Sequence, residues 1–259
     1  MIQPIKSYFK FLWQSKNQHG VHSPFVFNLV TKCFYDKKTK SAYQILKNYR
    51  NSLLQNKNTI EVTDFGAGSR VFKSNTRQIT KIAQTAGIAP KRAELLYRIV
   101  NYFQPENILE IGTSLGLATS ALSIGNPSAK ITTLEGCPET SAIAKNQCQL
   151  QNLNNIEFIN TEFTDYLKNC QLSTINYKLI YFDGNHSKNA TLNYFELLIP
   201  TITNETLWIF DDIHWSAEME EAWEIIKKHP KVAVTIDTYQ WGLVFFRTEQ
   251  EKEHFTIRV

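Results

Sequence analysis

NILEIGTSLGLATSALSIG, residues 107–125, is the stretch on which the fold turns. NILEI is an apolar run of strand length, interrupted only by Glu110. Gly112 breaks the run, and SLGLATSALSIG continues at helical spacing. The same unit recurs downstream. KITTLEG (130–136) precedes a helix from Pro138 to about Leu153, and IEFINTE (156–162) precedes TDYLKNC. KLIYFDG (178–184) precedes NATLNYFELLI, and TLWIFDD (206–212) precedes AEMEEAWEIIKKH. Short apolar runs alternating with helices predict a parallel sheet covered on both faces. VAVTID (232–237) and GLVFFR (242–247) are joined by a short turn without a helix, so they predict an antiparallel hairpin at the end of that sheet. The expected class is α/β, a Rossmann-like, seven-stranded, mostly parallel sheet with a reversed C-terminal hairpin strand.

Upstream, AELLYRIVNYF is an amphipathic helix closed by Pro105. Residues 1–60 read as helical pieces: SYFKFLWQ, PFVFNLVTKCFYD with Ser23 as N-cap and Pro24 at the first helical position, and SAYQILKNYRNSLLQN. Residues 61–80 contain DFGAGSR and read as a loop. Asp64-x-Gly66-x-Gly68 has the look of a cofactor loop, but no strand–helix unit surrounds it; a substrate-proximal lid or a plain loop fits better. The expected organisation is a basic, mainly helical segment over 1–89, serving as substrate or lid region, and a ligand-binding domain over 90–259.

The chain has 259 residues, 42% of them apolar, enough for a sizeable core. No apolar run reaches membrane-spanning length, and no signal peptide is evident at the N-terminus. Cys33, Cys137, Cys148 and Cys170 lack metal-type spacing and read as reduced thiols, which points to a cytoplasmic protein. Net charge is +4, yet residues 1–100 hold 17 Lys and Arg against 4 acids, and residues 101–259 hold 11 against 20. The first segment therefore faces something anionic: nucleic acid, a phosphorylated metabolite, a membrane surface or the acidic half of the same chain.

In open α/β sheets, ligands bind beyond the carboxyl ends of the strands. Every notable polar cluster here lies at such an end. Glu110-Ile111-Gly112-Thr113-Ser114-Leu115-Gly116 offers glycines for close backbone approach and a helix N-terminus behind them. Glu135 closes the second strand, where a carboxylate can accept both hydroxyl hydrogens of an adenosine ribose. Asp183-Gly184-Asn185-His186 follows the fourth strand, and Asp211-Asp212 the fifth, with His214 beyond. A nicotinamide-binding fingerprint would need Gly-x-Gly-x-x-Gly; Thr113 and Ser114 stand in the way.

Residues 90–247 resemble class I S-adenosylmethionine-dependent methyltransferases, within them the catechol O-methyltransferase-like and related bacterial families. The resemblance rests on AELLYRIVNYFQPENILEIGTSLGLATSAL, TLEGCPE, LIYFDGNHSKNATLNYFELLIP, LWIFDDIHWSAEMEEAW and the final hairpin. It implies that Gly112, Thr113, Ser114 and Gly116 line the cofactor, that Glu110 orients its amino end, that Glu135 holds the ribose, and that Glu162 or Thr161 lies near the adenine. It also implies a divalent ion, Mg²⁺ by its oxygen ligands, at Asp183, Asp211 and Asp212, although Asp212 stands where the family has Asn. His186 stands where catechol-type enzymes place a catalytic Lys, and can serve as a base with Asp183 beside it. The implied activity is O-methylation of a small hydroxylated molecule. Two other readings stay open: a methyltransferase for RNA or another polyanion gripped by the basic segment with its interleaved aromatics, and a cofactor-binding module without turnover. A homodimer is compatible with each.

Overall fold

The computed structural model describes residues 2–63, 72–170 and 175–259, so DFGAGSR lies outside the described residues. Local chemistry starts and stops the helices as the sequence predicts. Helices α1 (Ile2–Gln14), α2 (Pro24–Leu29) and α3 (Ser41–Gln55) cover the N-terminal pieces. Ser23 caps α2 by accepting a hydrogen bond from the Val26 N–H at 3.4 Å, with Pro24 at the first position. A π turn over Val30–Phe34 continues α2, and its register change is marked by the Tyr35 N–H donating to the Val30 carbonyl.

Around the segment 61–80, read as a loop, lie strand β1 (Thr59–Glu61), its antiparallel partner β2 (Thr76–Gln78) and helix α4 (Ile79–Thr85). The strands are three residues each and largely polar, too short to leave a periodic signal. Helix α5 (Pro90–Phe103) begins on a proline and ends at Gln104, whose φ of 47° reverses the chain before Pro105.

Then come β3 (Asn107–Ile111), α6 (Leu117–Gly125), β4 (Lys130–Glu135), α7 (Pro138–Leu150), β5 (Ile156–Asn160) and α8 (Phe163–Cys170). They are followed by β6 (Leu179–Phe182), α9 (Lys188–Leu198), β7 (Leu207–Asp211), α10 (Ala217–Lys228), β8 (Val234–Asp237), β9 (Trp241–Phe245) and β10 (Glu253–Thr256). Helices α9 and α10 are capped by Ser187 and Ser216, and α10 carries Glu218 and Glu220 in its first turn and Lys227 and Lys228 in its last, complementing its dipole.

The chain divides into two compact units, Lys37–Asp165 and Met1–Asp36 with Tyr166–Val259, rather than at residue 89. Residues 37–89 group with residues 90–165 because α3 packs on α4, α5 and α6. In the Lys37–Asp165 unit, β4 lies between β3 and β5, all parallel. In the other unit the strand order is β10-β8-β9-β7-β6. There β6 and β7 are parallel, and β9 runs antiparallel to both β7 and β8, the predicted reversed strand. The longer strands number eight, one more than expected, because β10 adds to β8 in parallel. Its pattern is exposed at Glu253 and His254, as an edge strand's is, so the sequence gives it no apolar run.

The N-terminal segment covers that edge. The Lys16 N–H donates to the Thr256 carbonyl at 2.8 Å, and the Arg258 N–H donates to the Lys16 carbonyl at 3.2 Å. Tyr35 Oη donates to the Arg258 carbonyl at 2.7 Å.

The core of this unit is aromatic. Trp208 lies edge-on to Phe182, Phe195 and Phe246, and Phe182 stacks on Phe210 at 4.1 Å. Gly242 in β9 exists to admit Trp223, since a Cβ there would stand 2.5 Å from the ring, and Trp223 is itself buried. Gly242→Ala is therefore expected to destabilise the protein by about 1–3 kcal/mol through overpacking. Urea unfolding checks this; an unchanged midpoint would mean that the Trp223 ring moves aside without cost.

Candidate active site

The loop between β3 and α6 is built around Glu110. Its carboxylate is fully buried. Glu110 Oε2 accepts hydrogen bonds from Thr119 Oγ1 of α6 at 2.5 Å and Thr133 Oγ1 of β4 at 2.6 Å. Glu110 Oε1 is buried with no hydrogen-bond partner among the described residues. Burial pushes this carboxyl up to about 8, against the two hydroxyls that favour its ionised form and with the nearby Glu135 adding to the rise. Sequence reasoning singled out Glu110 but missed its threonine partners. Two polar residues inside the apolar run KITTLE were the available signal, because a buried hydroxyl needs something to bond.

Beyond Glu110 the backbone turns through φ values of 103° at Gly112, 48° at Ser114 and 76° at Gly116. A Cβ at Gly116 would lie 2.4 Å from Tyr49 Oη, which donates to the Leu115 carbonyl at 3.0 Å and so holds the loop from α3. Gly112 and Thr113 both donate their N–H groups to the Leu134 carbonyl, at 3.0 and 3.1 Å, and Thr113 Oγ1 lies 2.5 Å from Thr133 Oγ1.

Glu135 fixes the same loop from the end of β4. Its Oε2 accepts from the Ser114 N–H at 2.7 Å and its Oε1 from the Cys137 N–H at 3.0 Å. Burial raises its pKa, and those backbone donors oppose the rise. The Gly136 backbone and the Thr140 side chain also hydrogen-bond this carboxylate, so it is firmly oriented. Thr161, after β5, donates its N–H to the Glu135 carbonyl at 3.0 Å, and Glu162 comes after it, just before α8. Glu110 and Glu135 thus lie at the ends of β3 and β4, and Gly112, Thr113, Ser114, Gly116 and Glu162 in the loops that follow β3 and β5, three adjacent parallel strands.

In the other unit, Asp183 lies just after β6, and its Oδ1 is 3.6 Å from His186 Nε2, close but beyond a hydrogen bond. Both side chains are partly open to solvent. Asp211 ends β7 and is buried; its Oδ2 accepts from Tyr181 Oη at 3.3 Å and its Oδ1 from the Asp212 N–H at 2.9 Å. Asp212 then reverses the chain at a φ of 54°. No three His, Cys, Asp or Glu side chains among the described residues are grouped to hold a metal ion. Of the three aspartates expected to hold Mg²⁺, Asp211 directs its oxygens to Tyr181 and to the Asp212 N–H, and Asp212 starts a turn.

His214 is instead the strongly held group of this region. Its Nδ1 lies 2.9 Å from Glu220 Oε1 in α10 and its Nε2 lies 2.9 Å from Asp237 Oδ2 at the end of β8, with the ring stacked on Tyr239. Burial lowers its pKa, but hydrogen bonding and charge from Asp237 and Glu220 outweigh it, so the pKa is raised.

Residues 109–213 match the family model described as a methyltransferase domain. The chain is also similar in structure to the O-methyltransferase from Bacillus cereus in complex with SAH, at 18% identity and a TM-score of 0.56 over 82% of this chain and 94% of that one. The SAH-bound methyltransferase PaMTH1 of Podospora anserina gives 12% identity and a TM-score of 0.59 over 88% and 97%. TomG of Streptomyces achromogenes, an O-methyltransferase involved in tomaymycin synthesis and solved with SAM, gives 14% and 0.58 over 84% and 95%. The chain has the Rossmann-like α/β fold of these proteins.

The titration of Glu110 has a measurable consequence. Its folded pKa of about 8 lies above the unfolded 4.5, so between those values the folded protein keeps a proton that the unfolded chain gives up. That contribution makes stability fall as pH rises from about 4.5 to 8 and then level off. Glu110→Gln is expected to flatten this part of the thermal-unfolding profile. An unchanged slope in the variant would assign it to other groups.

Proposed function

We propose that this chain, which carries a methyltransferase domain over residues 109–213, is a class I S-adenosylmethionine-dependent O-methyltransferase acting on a small hydroxylated molecule. The observation that carries the proposal is the glycine loop after β3, braced from beneath by buried Glu110 and from the side by Glu135. S-adenosylmethionine fits the chemistry of these residues. Glu110 Oε1 is a buried acceptor without a partner among the described residues, suited to the cationic amino end of the donor. Glu135, aimed by the backbone donors of Ser114 and Cys137, is the carboxylate suited to the ribose hydroxyls. The Gly112–Gly116 backbone allows the donor to lie close against the chain. Glu162, after β5, is the weaker candidate for the adenine end.

The bound donor supplies a methyl group activated on a sulfonium. The protein must supply an acceptor oxygen aligned with it and relieved of its proton. His186 is the base this reading assigns, and Asp183 stabilises the imidazolium that forms. This reading draws the proton to His186 rather than to a metal-bound oxygen.

Two measurements test it. Calorimetry should detect S-adenosylmethionine binding to wild type, and Glu135→Ala should weaken it by about 1–3 kcal/mol through lost charge-assisted hydrogen bonds. Absence of binding to wild type would overturn the reading, and unchanged affinity in the variant would remove Glu135 from it.

Incubation with methyl-labelled donor and a cell extract, fractionated into small molecules, RNA and protein, should place the label on a small molecule. Label on RNA would favour a polyanionic acceptor bound through the basic N-terminal residues. With the acceptor in hand, His186→Ala should lower kcat by about 10²–10⁴-fold, and turnover should persist in chelator. Loss of activity in chelator with recovery on Mg²⁺ addition would overturn the base assignment.

A further inference from the structure

Helix α1 buries one narrow face and leaves a broad apolar one in water. Ser7 and Phe11 are buried, and Phe11 and Tyr8 pack against the Tyr239 ring with centroids at 5.5 and 4.9 Å. On the opposite side Ile5, Phe9 and Trp13 recur every four residues and so form one row along the helix. They are 59%, 66% and 86% exposed, with Tyr8, at 44%, beside them. Scattered exposed apolar residues are ordinary in a folded protein; a row of three large ones on one helix face is not.

The charge around the row is of one sign. Lys6 and Lys10 lie on the same helix, both exposed, and Lys16 comes just after it, also exposed. The first 35 residues contain no Asp or Glu. A symmetric contact with a second copy would bury the aromatic row but would bring like charges together along its flank. An interface of anionic lipid accepts both features at once. The aromatic and aliphatic side chains enter the boundary between headgroups and acyl chains, and the lysines reach the headgroup phosphates along their own apolar stems.

We propose that α1 is a peripheral membrane-docking helix, which lays this protein on an anionic lipid surface through Ile5, Phe9 and Trp13 with Lys6 and Lys10 as its electrostatic partners. The helix is 13 residues, about 20 Å long, suited to lie in the interface and too short to cross it. No helix among the described residues is long and apolar enough to span a membrane, so attachment through α1 is of the surface kind.

The test is flotation of the full-length protein with vesicles of phosphatidylcholine alone and of phosphatidylcholine mixed with phosphatidylglycerol. Wild type should float with the anionic vesicles, remain largely unbound with the neutral ones, and release as salt is raised. The double variants Phe9→Ser/Trp13→Ser and Lys6→Gln/Lys10→Gln should each lose flotation with the anionic vesicles. Because these side chains face water, circular dichroism and melting temperature should stay at wild-type values, which separates lost docking from lost folding. Wild type that fails to float with anionic vesicles overturns the proposal. So does a dimer in light scattering that becomes monomeric in Phe9→Ser/Trp13→Ser while vesicle binding is unaffected, for the row would then belong to a second copy.

Discussion

A carboxyl group cannot stand in an apolar interior without donors, and Glu110 obtains its donors from two other elements. One oxygen draws Thr119 of α6 and Thr133 of β4 onto the end of β3, so a single side chain fastens strand, neighbouring strand and following helix around the glycine loop. Thr133 reaches Thr113 of the loop in turn, and the next carboxylate, Glu135, takes the Ser114 N–H. The loop's left-handed residues, Gly112, Ser114 and Gly116, are thereby held by side chains placed on rigid strands and helices. Burial at this point displaces the acid's ionisation toward neutrality in spite of its two donors. A turn alone does not require such an arrangement; a binding loop that must already have its shape when a ligand arrives does.

The second unit solves a related problem with charge. The chain leaving β7 must turn before α10 begins, and His214 stands in that turn between Glu220 of α10 and Asp237 of β8. Two carboxylates on one imidazole favour its charged form, which alone can donate from both nitrogens. The region in which the sequence suggested a cation at three aspartates is thus anchored by His214 a few residues further on, whose pKa its two carboxylate partners raise, and Asp211 directs its oxygens to Tyr181 and to its own chain.

Most strands were legible because their apolar runs are buried on both faces, as in β3, β6, β7 and β9. The unread elements share a different property. β1 and β2 are short and polar, and β10 is an edge strand with two exposed residues, so none carries a periodicity to detect. Candidate site residues were legible as positions at strand ends, since topology alone fixes where those ends lie. The grouping of Asp183, Asp211 and Asp212 was not legible, because it depends on side-chain direction and on the φ of Asp212, neither of which a residue name carries. The division of the chain was hidden for a similar reason: Lys16 and Arg258 meet across most of its length.

That last contact bears on the order in which the protein comes into being. The Lys37–Asp165 unit is one uninterrupted stretch, whereas the other is closed by its two ends, with Arg258 Nε bonding Ser15 Oγ across 243 positions. During synthesis at about 5–20 residues per second, the first 36 residues emerge roughly 12–50 s before the strand they cover. Through that interval Phe11, Val26, Leu29 and Phe34 wait for the C-terminal part of their own unit.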